Sequence, residues 1–166
     1  MNENLVLIGF MGSGKSSVSK ALALELDRFL FDSDELIEAK FQMTVREIFN
    51  RFGEDFFRRE EEKLATCFLY MKNSIISTGG GFVKVKKLDK LGKIVYLKAD
   101  FDFLKNRLSK EDLEQRPLFN DEKKARQLFN ERLALYENLS NLTVCVEGKS
   151  IKDIVYEIKK DLKCEF

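Results

Sequence analysis

Gly9-Phe10-Met11-Gly12-Ser13-Gly14-Lys15-Ser16 fills every fixed position of the phosphate-binding pattern G-x-x-x-x-G-K-[ST]. It follows the apolar run Leu5-Val6-Leu7-Ile8 and precedes a helical pattern over Lys15–Leu26, so the context is strand, loop, helix. That context gives the match physical content. Glycines let successive backbone N–H groups turn inward around an anion, where a Cβ would obstruct. Lys15 adds a mobile positive charge for β- and γ-phosphates, and Ser16 offers a hydroxyl to Mg²⁺. The helix that begins here points the positive end of its dipole at the same place. Gly12, Ser13, Gly14, Lys15, Ser16 and Ser17 are therefore the candidate nucleotide-phosphate contacts.

Outward from this loop, short apolar runs alternate with amphipathic stretches, the signature of parallel β-α-β construction and an α/β fold. Strands are expected near Leu5–Gly9, Phe29–Asp32, Ser74–Ser77, Lys93–Lys98 and Leu142–Val146. Helices fit Lys15–Leu26, Asp34–Phe41, Val45–Phe52, Asp55–Met71, Val85–Leu91, Phe101–Leu108, Glu122–Asn138 and Ile151–Leu162. Thr44 with Glu47, and Ser150 with Asp153, carry capping-box chemistry. The stripe Met43, Val45, Ile48, Phe49, Phe52 has helical spacing and reads as core. Ser109–Asp121 breaks the pattern: it is polar, charged and centred on Pro117, the one proline of the chain. A segment of this length is usually an active-site lid or disordered, and a lid that keeps water from a phosphoryl group in transfer is the better reading.

Bulk properties narrow the classes. At 166 residues the chain is one domain by size, with 44 % hydrophobic and 34 % charged residues, as in a globular protein. Net charge is +1 with the two signs interleaved, so neither nucleic acid nor a membrane surface is an expected partner. No apolar stretch reaches the roughly 18 residues of a membrane span, and no signal peptide is visible, so a cytoplasmic location is expected. Cys67, Cys145 and Cys164 are widely spaced and read as buried or incidental thiols in a reducing compartment. The chain has no histidine. Its chemistry must therefore run on carboxylates, Lys, Arg, backbone amides and a metal held by oxygen.

Neither the D-x-x-G nor the N-K-x-D string of GTPases occurs. Instead, the second strand ends in Asp32-Ser33-Asp34, and strand ends of a parallel sheet face the ligand crevice. Asp32 is placed to hold Mg²⁺ through water and Asp34 to draw a proton from an acceptor hydroxyl; the competing reading is an Asp N-cap. The third strand runs into Gly79-Gly80-Gly81, which allows close approach of a small ligand or forms a plain turn. Arg58, Arg116 and Arg132 are candidate readers of an anionic substrate, because guanidinium binds carboxylate and phosphate with paired hydrogen bonds. Arg59, beside Glu60–Glu62, reads as a surface ion-pair former.

Gly9…Lys15-Ser16, Asp32-Ser33-Asp34, Phe57-Arg58-Arg59-x-Glu61, Gly79-Gly80-Gly81, Arg116-Pro117-Leu118 and Arg132 with Tyr136 stand in the order found in shikimate kinases. The chain resembles that family over essentially its whole length. The resemblance implies a three-layer α/β/α P-loop kinase fold with a five-stranded parallel sheet of order 2-3-1-4-5. It implies transfer of the ATP γ-phosphate to the 3-hydroxyl of shikimate, on the path to chorismate and the aromatic amino acids. Carried over by position, Asp34 activates the hydroxyl, Arg58 and Arg132 clamp the shikimate carboxylate, and Gly79, Gly80 and Gly81 line the ring. Helices over about 34–62 bind shikimate, and a lid over about 109–121 closes the site. Lys15 and Arg116 stabilise the transferring phosphoryl group, Ser16 and Asp32 hold Mg²⁺, and Arg107 matches a place near adenine. The expected partners are shikimate and ATP, and the expected state is a monomer. The alternatives are a gluconate-kinase-like enzyme of the same fold and a nucleotide-binding regulator without catalysis. Against the regulator stand the intact Lys15, Ser16, Asp32, Asp34 and Arg116.

Overall fold

A computed structural model describes residues 3–108 and 121–163. The run Leu5-Val6-Leu7-Ile8 forms strand β1 (Leu5–Ile8), with every side chain at most 1 % exposed. A strand apolar at successive positions buries both faces, which only a central strand of a covered parallel sheet can do. The other strands are β2 (Phe29–Asp32), β3 (Ser74–Ser77), β4 (Lys93–Lys98) and β5 (Leu142–Cys145). All pairings are parallel and the order is β2-β3-β1-β4-β5, as the resemblance implies.

Helices α1 (Lys15–Glu25), α2 (Ser33–Phe41), α3 (Val45–Phe52), α4 (Glu54–Phe68), α5 (Phe101–Arg107), α6 (Glu122–Leu139) and α7 (Ile151–Asp161) flank the sheet. Helix α1 packs on α7 and against β3, while α6 lies on β4. Both expected capping boxes form, Thr44 with Glu47 and Ser150 with Asp153. The apolar stripe of α3 joins a second, smaller core around Ile37, Ile48 and Phe57, with Phe52 at its exposed rim. Glu38 accepts from the Val45 N–H at 2.8 Å and Lys40 pairs with Glu60, so α2 is tied to both α3 and α4. These ties fix the relative placement of Asp34 on α2 and Arg58 on α4.

One expected helix does not form. Phe82–Lys84 and Leu88–Lys90 are separate 3₁₀ turns in place of a helix over Val85–Leu91. The buried residues Phe82, Val85, Leu88 and Leu91 recur every third position, which matches three residues per turn rather than 3.6. No Ser, Thr, Asp or Asn stands immediately before this segment to cap an α-helix. Cys67 and Cys145 are exposed free thiols, so the buried alternative for them is wrong; Cys164 lies outside the described residues.

Candidate active site

Parallel strands deliver their C-terminal ends to one edge of the sheet, where three stretches of loop meet. The first is residues 9–14, ending at the N-terminus of α1. Gly12 and Gly14 adopt φ of 83° and 89°, left-handed values that L side chains rarely tolerate. Lys15 Nζ donates to the carbonyls of Gly9 at 2.8 Å and Phe10 at 3.0 Å, which holds the ammonium over the loop. Ser16 and Ser17 are exposed in the first turn. Arg107 is exposed at the end of α5, its guanidinium nitrogens 3.5 Å from the point where a Cβ on Gly14 would lie.

The second stretch is Asp32-Ser33-Asp34, where the N-cap of the competing reading is present. Asp32 caps α2, its Oδ1 accepting from the N–H groups of Asp34 at 3.0 Å and Glu35 at 3.4 Å. Asp34 lies in the first turn. Burial pushes its carboxyl up to about 6, the nearby Asp32 adds to the rise, and Lys15 and Arg58 pull against it. Ser33 is fully buried; its Oγ accepts from the Gly79 N–H at 2.8 Å and lies 3.5 Å from Asp34 Oδ1. It joins the second stretch to the third.

The third stretch is Gly79-Gly80-Gly81, and each glycine faces a different side chain. A Cβ on Gly79 would lie 2.3 Å from Asp34 Oδ1, one on Gly80 3.3 Å from an Arg132 terminal nitrogen, and one on Gly81 2.2 Å from an Arg58 terminal nitrogen. The triplet is therefore not a plain turn but a floor against which three functional groups converge. Tyr136 OH donates to the Gly80 carbonyl at 2.6 Å, with its ring stacked on Tyr96 at 5.1 Å, which fixes the middle of that floor.

The two arginines differ in their support. Arg58 donates to Glu61 at 2.7 Å and to Glu54 at 2.6 Å and 3.1 Å. Glu61 is 1 % exposed; burial pushes it up to about 7 against the attraction of Arg58. Arg132, 5 % exposed on α6, lies 5.9 Å from the Phe10 ring centre, and its Nε has no hydrogen-bond partner among the described residues. No acidic side chain among the described residues forms an ion pair with it. A buried cation left in that condition points to an anion supplied from outside.

A Mg²⁺ ion fits the residues at the strand ends. Among the described residues no group of three or more acidic, His or Cys side chains gathers to hold a metal. Mg²⁺ does not need one, since it keeps waters and leans on substrate phosphates. Ser77 stands in register with Asp32, and its buried Oγ has no hydrogen-bond partner among the described residues. That orphaned hydroxyl beside a carboxylate suits ordered water around a cation.

Lys15, Asp34, Arg58, Arg132 and the three glycines thus come together, Arg107 lies against the loop, and Arg116 falls outside the described residues. Ser33 went unrecognised in the sequence, and Glu61 and Tyr136 stood there only as members of the resemblance, without the ion pair to Arg58 and the bond to the Gly80 carbonyl that the structure gives them. Glu60 and Glu61 sit in a charged run that reads as surface, yet both are buried, Glu60 between Lys40 and Lys63. The motif Phe57-Arg58-Arg59-x-Glu61 and the i,i+3 spacing of Glu61 to Arg58 were the signals that this face of α4 points inward. Arg59 is exposed as expected but lies over the Phe56 ring at 5.8 Å, its glutamate neighbours being engaged elsewhere.

The sequence profile described as Shikimate kinase matches residues 11–163. A protein named shikimate kinase from Helicobacter hepaticus is 42 % identical over 151 residues, which cover 90 % of each chain. The solved structure of shikimate kinase from Acinetobacter baumannii in complex with shikimate superposes with a TM-score of 0.89 at 30 % identity, covering 99 % of this chain and 95 % of that one. A gluconokinase from Sinorhizobium meliloti, at 16 % identity and a TM-score of 0.57, shares the fold alone. With a matching profile over nearly its full length and a fold in common, this chain belongs to the shikimate kinase family.

Proposed function

We propose that the chain transfers the γ-phosphoryl group of ATP to the 3-hydroxyl of shikimate, giving shikimate 3-phosphate and ADP. The observation that carries the reading is the glycine floor, with Asp34 over Gly79, Arg132 over Gly80 and Arg58 over Gly81. One end offers a base and the other two cations, which is what an acceptor with a hydroxyl and a carboxylate requires.

Phosphoryl transfer asks little covalent work of the protein, so positioning and charge stabilisation dominate. Arg58 and Arg132 orient the acid by its carboxylate, with Glu61 steadying Arg58 from beneath. The 3-hydroxyl then donates to Asp34. As the hydroxyl oxygen forms its bond to the γ-phosphorus, the bond to the β–γ bridging oxygen breaks, ADP leaves and Asp34 takes the proton. An acid titrating near 6 is ionised at neutral pH yet basic enough to share that proton in the transition state. Lys15, the loop N–H groups and Arg116 counter the charge on the equatorial oxygens. Ser16, with Asp32 in the outer shell, would hold Mg²⁺, which when bound neutralises charge between β- and γ-phosphates. Gly12, Ser13, Gly14 and Ser17 complete the phosphate cradle, with Arg107 toward the base and residues about 109–121 as the lid. A monomer in the cytoplasm is the simplest setting, since one chain brings Lys15, Asp34, Arg58 and Arg132 together and the exposed thiols of Cys67 and Cys145 suit a reducing compartment.

Proton-coupled ³¹P NMR of the product tests the assignment. The expected spectrum has phosphorus coupled to the ring proton at C3 of shikimate, with no product from gluconate. Coupling to another ring position, or a product from gluconate alone, would contradict it.

A further inference from the structure

Arg58 is held by two carboxylates of unlike standing. Glu61 has a side chain 1 % exposed and takes one terminal nitrogen at 2.7 Å from inside the protein. Glu54, one turn earlier on α4, is 59 % exposed and takes the other terminal nitrogen at 2.6 Å and Nε at 3.1 Å through a single oxygen. The hydrogen bonds from Arg58 hold the Glu54 carboxyl below its usual range, and the charges of Arg58, Lys84 and Arg132 deepen that fall. One exposed carboxylate therefore lies within the field of both arginines that the proposed reaction reserves for the acid group of its acceptor.

The side edge of a guanidinium, Nε with a terminal nitrogen, is one of its forks for a carboxylate. In Arg58 that edge is filled. An exposed pair spaced i,i+4 contributes little to stability, so it exchanges readily with a better-placed anion. The buried Glu61 does not exchange, because stripping its partner would strand a desolvated charge.

We propose that Glu54 is an internal stand-in for the substrate carboxylate, occupying the side edge of Arg58 until shikimate binds and then giving it up. The inference rests on shikimate being the acceptor. It has a consequence for selectivity. An acceptor that brings a carboxylate replaces Glu54, while a neutral polyol leaves Glu54 in place and gains nothing from Arg58. Glu54 thus keeps Arg58 compensated and sets a threshold that uncharged sugars do not pass.

Calorimetric titration of the full chain with shikimate, wild type against Glu54→Gln, reads this directly. The variant removes the charge, keeps the length and is exposed. Its Kd for shikimate is expected to fall about two- to fivefold, the span of releasing an exposed ion pair. The gain should appear in KM, and high salt should shrink the difference. Glu54→Ala should move in the same direction. The methyl ester of shikimate, which has no carboxylate to exchange, should bind both proteins alike. An unchanged or weaker affinity of Glu54→Gln for shikimate would overturn the stand-in, as would equal tightening of the ester. A wild-type chain that turns over no shikimate would overturn the acceptor assignment itself, and the stand-in with it.

Discussion

Asp34 carries two demands that pull in opposite directions. The proposed chemistry needs it ionised beside a hydroxyl, whereas its place in the first turn of α2 is dry enough to lift its carboxyl from 3.8 to about 6. The folded chain consequently binds this proton more tightly than the unfolded one. The resulting penalty is absent below pH 3.8 and complete above about pH 6, so this group makes stability fall as pH rises across that window. Asp34→Asn is expected to be more stable than wild type at pH 7, by up to about 3 kcal/mol, with the gain vanishing near pH 4. The same substitution should lower kcat at least about 10²-fold, and wild-type kcat/KM should decline as pH drops through about 6. Urea titrations at both pH values and initial rates across the range check the two halves; a stable variant with full kcat would leave Asp34 without a part in proton removal.

Two other residues show why the site was only partly legible at this scale. Asp34, Arg58 and Arg132 were readable because their types carry chemistry and their neighbours form motifs. Ser33 was not, since nothing in a serine between two aspartates announces a 2.8 Å bond to a backbone forty-six positions away. Glu61 was legible only through the resemblance, since its run of acids looks solvated until α4 turns one face to Arg58.

At the scale of elements, the glycine triplet is the decisive segment. Its neighbours on β3 set its direction, Tyr136 and Ser33 hold its backbone, and its missing side chains leave room for three functional groups. Gly79→Ala would drive a methyl group to within 2.3 Å of the Asp34 carboxylate on the present backbone. Displacement of a catalytic group by about 1 Å costs on the order of 10²-fold in rate. We expect kcat to fall by that order while the affinity for ATP, whose proposed cradle is residues 12–17, is retained; equilibrium binding of a fluorescent ATP analogue beside the rate assay separates the two. The segment just beyond, residues 82–91, marks where sequence periodicity misleads. Its apolar residues suit a helix on a coarse count, and only their strict spacing of three betrays the 3₁₀ turns. Strands and long helices were legible because burial on a parallel sheet imposes continuous apolar runs and helical stripes.

Across the whole molecule, function gathers at one edge of the sheet and anchoring at the other. Asn4 is 1 % exposed at the entry to β1; its Nδ2 donates to the carbonyls of Met71 at 2.9 Å and Leu91 at 2.8 Å, and its Oδ1 accepts from the Ser74 N–H at 3.1 Å. One amide therefore pins the starts of β1, β3 and β4 in register, so that the far ends of β1 and β3 present the loop and the glycines side by side. Asn4→Ala removes the partner of three backbone groups, two of them buried, and should cost at least about 2 kcal/mol in denaturant titration. A loss near zero would mean that the register is fixed elsewhere.

The strand order itself was legible through family resemblance rather than through any single residue, because pairing partners distant in sequence leave no local trace. Residue, element and molecule converge on the proposed arrangement: a phosphate cradle and an acid-binding acceptor floor side by side at the C-terminal ends of the strands. Its sharpest test is the initial rate of ADP release with ATP and Mg²⁺, measured with and without shikimate under reducing conditions. Turnover should rise and saturate with shikimate and be negligible without it. Turnover indifferent to shikimate, or stimulated only by a different hydroxylated metabolite, would contradict that arrangement.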